Sequence, residues 1–194
     1  MVVSSANNLV SNEKDILKLD VRESSAKNLR AIKHVGQIHI LKSSYRGSYP
    51  TIIRDSLRNA AIGRKVLLVQ LMKGGVNQGI GNPVKLCGNL TWIRASDSYD
   101  KYDSDSLNNS EILTSIKGAI LELWDFCKKQ LLSGSKDQII LDEIFRAVDL
   151  QIIQKDDLIS TLENRLISGD VILTGTSIPK DFLIMADQVT ELRS

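Results

Sequence analysis

The sequence predicts an α/β fold: a doubly wound, mainly parallel sheet flanked by helices. Three observations predict it. The runs QIHIL (Gln37–Leu41) and KVLLVQL (Lys65–Leu71) are continuously apolar or nearly so, as in strands covered on both faces. Segments with helical spacing fall between strand-like segments, an order that calls for right-handed crossovers. The 194 residues, 42% of them hydrophobic, fit one such domain with a buried core.

Residues 1–11 are small and polar and read as a loose tail. Residues 12–33 carry Ile16, Leu17, Leu19, Val21, Leu29 and Ile32 among many charges, a weakly helical pattern interrupted at Glu23-Ser24-Ser25. We expect a tail and arm over 1–35 and a single domain over 36–194. Gln37–Leu41 is its first strand. Pro50 to Ile62 is a helix, with Pro50 tolerable only in the first turn. Lys65–Leu71 is the second strand. Lys73–Pro83, rich in Gly and Asn, is a loop. Val84–Cys87 is a short strand. Residues 88–110 are long and polar and are expected to be a loop, of a length that in a compact domain is functional or disordered. Within them the Asp-rich run Ser96–Asp105 is too irregular for a calcium loop. Ile112 to Leu132 is the clearest helix, with Ile116, Ile120, Leu123, Trp124 and Cys127 at helical spacing and Trp124 assigned to the core. Gln138–Ile144 is a strand ending in two carboxylates. Leu158–Ile167 is a helix, Asp170–Gly175 a strand, Pro179–Ala186 a short helix and Gln188–Leu192 a last strand.

The net charge of +2 conceals an asymmetry. Residues 1–100 hold 15 Lys/Arg against 7 Asp/Glu, or +8; residues 101–194 hold 10 against 16, or −6. A basic half attracts phosphate or nucleic acid, but no arginine-rich run or RNA-binding aromatic signature sharpens that reading, and no nucleic-acid partner is expected. No apolar run reaches the ~18 residues of a membrane span. The opening residues lack the basic start and apolar core of a secretory signal. A cytoplasmic protein with no membrane partner is expected. Cys87 and Cys127 form no CxxC pair and read as two ordinary thiols. His34 and His39 are assigned structural roles.

In doubly wound sheets ligands bind outside the carboxyl ends of the strands. Ser43–Pro50, Lys73-Gly74, Asp142-Glu143 and Gly175-Thr176 all follow predicted strands. Asp142 and Glu143 stand where a P-loop fold places the acidic residue that holds Mg²⁺; the alternative is that Asp142 caps a following helix. SSYRGSYP (Ser43–Pro50) stands where a phosphate loop belongs. A working loop needs two glycines, a lysine and a Ser/Thr hydroxyl. Here Ser43 replaces the first glycine, Gly47 keeps the second, Ser48 replaces the lysine and Tyr49 the hydroxyl. Arg46 supplies a displaced cation, and Ser43, Ser44 and Ser48 supply hydroxyls. The segment is a phosphate loop by position and not by chemistry.

Four stretches together resemble the P-loop-type ATP:corrinoid adenosyltransferase family. They are Val66–Gly75, like that family's Val-Gln-Phe-x-Lys-Gly; Asn89–Trp92, like its Gly-Phe-Thr-Trp; Ala119–Ile144, like its helix and acidic strand; and Asp170–Ser194, like its C-terminal segment. The resemblance implies a P-loop NTPase-type sheet, a homodimer, ATP and Mg²⁺ as ligands, and a corrinoid as substrate. It implies transfer of the 5′-deoxyadenosyl group of ATP to a Co(I) corrinoid, as in cobalamin metabolism, and an N-terminal segment that can cover the site. It places Gln70, Lys73 and Gly74 on the nucleotide side, with Ser43, Ser44, Arg46, Gly47 and Ser48 as what remains of the loop. It places Thr91 and Trp92 near the corrinoid and Asp142 and Glu143 at Mg²⁺. No residue is assigned to catalysis itself. The family's arginine after Thr-Gly is Thr176 here, so nucleotide contacts are missing at two separate places. The expected function is that of a divergent relative with impaired or lost ATP chemistry. The alternatives are an active transferase with a non-standard loop, or a basic module binding phosphate or nucleic acid.

Overall fold

Among the described residues, seven strands form one sheet in the order β3-β4-β2-β5-β6-β1-β7. The structure is a computed structural model. It describes residues 35–44, 50–74, 76–96, 110–166 and 168–192, with only the backbone of 110–113. The arm over 12–33, His34, Arg46, Gly47, Ser48 and the Asp-rich run beyond Ser96 lie outside the described residues. In chain order the elements are β1 (Ile38–Ser43), α1 (Pro50–Ala61), β2 (Val66–Gln70), β3 (Val84–Leu86), β4 (Leu90–Arg94), α2 (Ser110–Ser133), β5 (Gln138–Asp142), α3 (Ile144–Asp149), α4 (Lys155–Glu163), β6 (Asp170–Gly175), α5 (Lys180–Met185) and β7 (Gln188–Leu192). Among the described strands only the β3–β4 pair is antiparallel. The predicted mainly parallel α/β sheet is therefore the observed one, and the ends of β1, β2, β4, β5 and β6 share one edge.

The sheet has two unequal faces, set by the period-2 alternation of side chains. Ile38, Ile40, Leu67, Val69, Ile93, Ile139, Leu141, Val171 and Leu173 face a large core shared with Ile116, Ile120, Leu123, Trp124 and Cys127 of α2, Phe145 of α3, Leu158 and Leu162 of α4, and Phe182 of α5. The other face carries Leu41, Val66, Leu68, Leu90 and Ile140, packed on Ile52 and Ala60 of α1. Helix α1 starts on Pro50, whose missing N–H costs nothing at a first helical position. Ile52, Ser56 and Ala60, four apart, are its buried stripe. Trp124 is core, as expected, at 1% exposed. Its Nε1 donates to Asp157 Oδ2 at 2.6 Å, which ties α2 to α4.

Two expectations need correction. Residues 88–110 are not one loop: Leu90–Arg94 is β4, fully paired in parallel with β2. Its alternation is hard to read in sequence because Trp92 and Arg94 stand on the α1 face beside one row of polar side chains, so that face does not look apolar. The strand Gln138–Ile144 ends two residues early, at Asp142, and the six-residue α3 begins immediately after Glu143. Glu143 makes the turn with φ 59° and ψ 28°, in the left-handed region. Cys87 is exposed and Cys127 buried, and both are free thiols.

Candidate functional site

Strand register builds the site. Arg94 pairs with Gln70, and Gln70 with Asp142. Leu141 pairs with Leu173, which sets Asp142 beside Thr174, and Thr174 pairs with Leu41. Gln70 lies two residues beyond Leu68, and Asp142 two beyond Ile140, so the row Arg94–Gln70–Asp142–Thr174 faces α1. It crosses four strands at their carboxyl ends.

The row is bonded from end to end. Gln70 Nε2 donates to Asp142 Oδ2 at 2.8 Å. Thr174 Oγ1 donates to Asp142 Oδ1 at 2.9 Å and accepts the Glu143 N–H at 2.7 Å. Trp92 Nε1 and Arg94 Nε both donate to Gln70 Oε1, at 3.1 and 2.8 Å. These bonds fix the Gln70 amide: its oxygen takes two donors, so its nitrogen faces the carboxylate. Asp142 is 2% exposed. Burial raises its pKa; the Gln70 and Thr174 donors and the charges of Lys73 and Arg94 pull the other way. Among the described residues every hydrogen-bond partner of its carboxylate is a donor, so the geometry suits the ionised form. Asp142 does not cap α3: its oxygens are engaged elsewhere, and the N-cap position is Glu143, with no side-chain cap bond.

Arg94 is held from behind. Its N–H donates to Gln78 O at 2.9 Å, and Gln78 Nε2 returns a bond to Trp92 O at 3.2 Å. Its guanidinium lies 4.6 Å from the Trp92 ring centroid, within cation–π range.

The other predicted residues fall as follows. Ser43 is the last residue of β1, 1% exposed, with Ser44 next to it at the same edge. Lys73 and Gly74 follow β2, and the Lys73 charge reaches Asp142. Trp92 joins the row. Thr91 pairs with Leu67 and Lys85 and so faces the opposite side of β4. Thr176 is exposed just beyond β6. Arg94 and Thr174 were missed in the sequence. The signal for Thr174 was only a hydroxyl next to the last residue of a predicted strand, and its place beside the acidic strand needed the sheet order; Arg94 needed β4 to be recognised first.

Beneath α1, beside the row, lies a cavity of about 230 Å³ lined by His39, Leu41, Ile52, Ile140 and Thr190 among others. His39 Nε2 and Thr190 Oγ1 are 2.9 Å apart, and burial lowers the histidine pKa, consistent with the structural role expected of it.

Among the described residues no group of three or more His, Cys, Asp or Glu is placed to hold a metal ion. Each Asp142 oxygen accepts one hydrogen bond from the described residues and keeps acceptor capacity. That donor set fits Mg²⁺ bound mostly by water and substrate phosphates, with one or two carboxylates beside it.

A family model described as ATP:corrinoid adenosyltransferase BtuR/CobO/CobP matches residues 34–194. A corrinoid adenosyltransferase of Escherichia coli K12 is 27% identical over 176 residues, covering 91% of this chain and 83% of the relative. The corrinoid adenosyltransferase CobA of Salmonella typhimurium LT2 is 26% identical over the same shares of each chain. An uncharacterized protein of Nostoc sp. PCC 7120 is 23% identical over 85% of this chain and 46% of its own length. The motifs at the ends of β2, β4, β5 and β6, and a family match from residue 34 to the C-terminus, lead to one conclusion: the chain belongs to the ATP:corrinoid adenosyltransferase family.

Proposed function

We propose that this protein is a divergent corrinoid adenosyltransferase with weakened ATP handling. It takes ATP and a Co(I) corrinoid. The cobalt electron pair forms the bond to C5′ of ATP, the C5′–O bond breaks, and triphosphate leaves with the electron pair of that C5′–O bond. The observation that carries this reading is the bonded carboxylate row at the sheet edge, which keeps Asp142 in place for a Mg²⁺–triphosphate. Mg²⁺, when bound, neutralises phosphate charge. Asp142 and Glu143 would face it, Gln70 would hold Asp142 in position, and Lys73 and Gly74 would line the triphosphate with Ser43 and Ser44. Trp92 would border the corrinoid, and Thr91 would act there only through the strand that carries both. Residues 1–35 as an arm, a homodimer and a cytoplasmic setting belong to the same reading; no described helix is long and apolar enough to cross a membrane.

The weakening follows from chemistry. A charge-assisted bond to phosphate contributes about 1.5–3 kcal/mol. Neither the lysine of a phosphate loop nor an arginine after Gly175 is present. Each missing bond corresponds to roughly a 10- to 150-fold loss of affinity.

The test is adenosyl transfer from ATP to chemically reduced corrinoid, followed by the absorbance change of Co–C bond formation. Transfer is expected, with a KM for ATP at least tenfold above that of the Escherichia coli relative measured alongside, and Asp142→Ala is expected to abolish it. A KM equal to the relative's would refute weakened handling. No transfer, with no ATP binding up to millimolar concentration, would leave a relative whose ATP chemistry is lost.

A further inference from the structure

We propose that Arg94 is a phosphate-binding residue: its guanidinium receives a triphosphate at the end of β4 and replaces the cation missing from the segment after β1. This inference rests on the proposed function and names how the phosphates are held.

Arginine presents five N–H donors in a planar fork that matches phosphate geometry. Among the described residues the Arg94 side chain spends only Nε, on Gln70 Oε1 at 2.8 Å. Among the described residues, neither terminal nitrogen makes a hydrogen bond or ion pair. The side chain is not loose. Trp92 backs it at 4.6 Å from the ring centroid, and the Gln70 oxygen fixes the roll of the fork. A half-buried arginine held on two sides, with its terminal donors unspent, is a preorganised anion receptor.

Its position fits the same use. Arg94 stands in one row with Asp142, two strands away across β2. Two strand spacings of ~4.8 Å put their backbones about 10 Å apart, close enough for one polyphosphate to reach both side chains. A single amide joins them: Gln70 Oε1 holds the cation and Gln70 Nε2 holds the acid. Asp142 feels the charges of both Lys73 and Arg94. None of these residues belongs to the segment between Ser44 and Pro50.

The experiment is calorimetric titration of the full-length protein with sodium tripolyphosphate, without and then with Mg²⁺. It compares wild type with Arg94→Gln, Arg94→Lys and the distant surface change Lys129→Gln, each checked for thermal melting. Arg94→Gln is expected to weaken binding at least tenfold. Arg94→Lys, which keeps charge and loses the fork, is expected to weaken it at least threefold. Lys129→Gln should bind as wild type does. Wild-type affinity in a folded Arg94→Gln protein overturns the inference, as does a wild type that does not bind tripolyphosphate. Should Arg94→Gln melt early, Arg94→Lys decides alone, and unchanged affinity there overturns it. The two readings fail separately. Arg94-dependent tripolyphosphate binding without adenosyl transfer removes the reaction and keeps the site. Adenosyl transfer with Arg94-independent binding keeps the reaction and removes the site.

Discussion

Among the described residues Asp142 has two donors and a neighbour that cannot adapt. Gln70 Nε2 and Thr174 Oγ1 both give it protons. Replacing Asp142 with Asn turns one acceptor into an NH₂ group that faces one of those donors. Thr174 can turn its hydroxyl to accept the new N–H beside that of Glu143, but its own proton then loses the Asp142 partner. Gln70 cannot flip, because Trp92 Nε1 and Arg94 Nε already occupy its oxygen. The near-isosteric Asp142→Asn change therefore leaves a buried donor unsatisfied, a cost of about 1–3 kcal/mol. Urea unfolding should show a lower midpoint at unchanged slope. An unchanged midpoint would mean that the row rearranges freely and that Gln70 is not locked.

At the scale of elements, the join between β5 and α3 governs where the acid sits. Glu143 occupies the left-handed region at φ 59°, where a side chain costs roughly 1–2 kcal/mol and glycine costs little. Glu143→Gly and Glu143→Ala both remove the carboxylate, so their difference isolates the backbone. The Gly variant should be more stable than the Ala variant by about 1 kcal/mol in chemical denaturation. Equal stabilities would show that the turn relaxes once the side chain is gone. Across the join, a Cβ on Gly175 would come within 2.8 Å of Phe145 Cβ, so β6 approaches α3 closely only because a glycine is there. Much of this layer was legible in sequence, because Leu67–Val69, Ile139–Leu141 and the α2 stripe are long, apolar and regular. Helix α3 was not, since six residues give too little period to detect. Strand β4 was not, because Trp92 and Arg94 break the apolar pattern of a strand whose place is set by pairing with a distant partner, β2. Asp142 could be named from its strand alone, whereas its bond to Thr174 links residues 32 apart and depends on register.

For the whole molecule, the site exists only as a consequence of the fold. Gln70, Arg94, Asp142 and Thr174 are scattered in sequence and meet through four parallel strands. An unfolded chain cannot present that row, so a ligand that uses it binds the folded state alone and must raise stability by mass action. At a concentration 100 times its dissociation constant the increase is about 2.7 kcal/mol. For a chain of this length that amounts to a rise in melting temperature of roughly 5–10 °C. The metal dependence separates two pictures of Asp142. With one or two carboxylates and no larger described cluster, Mg²⁺ alone lacks the ligands to bind tightly. Magnesium with ATP brings phosphate oxygens to complete the shell. Thermal melting with Mg²⁺ alone should therefore match the free protein, ATP with EDTA should shift it slightly, and Mg²⁺ with ATP should shift it most. Asp142→Ala should remove the difference between the last two. A full shift with Mg²⁺ alone would instead mean a resident metal at this edge, with ligands supplied from outside the described residues, and the carboxylate row would then be part of a metal site formed before the nucleotide arrives.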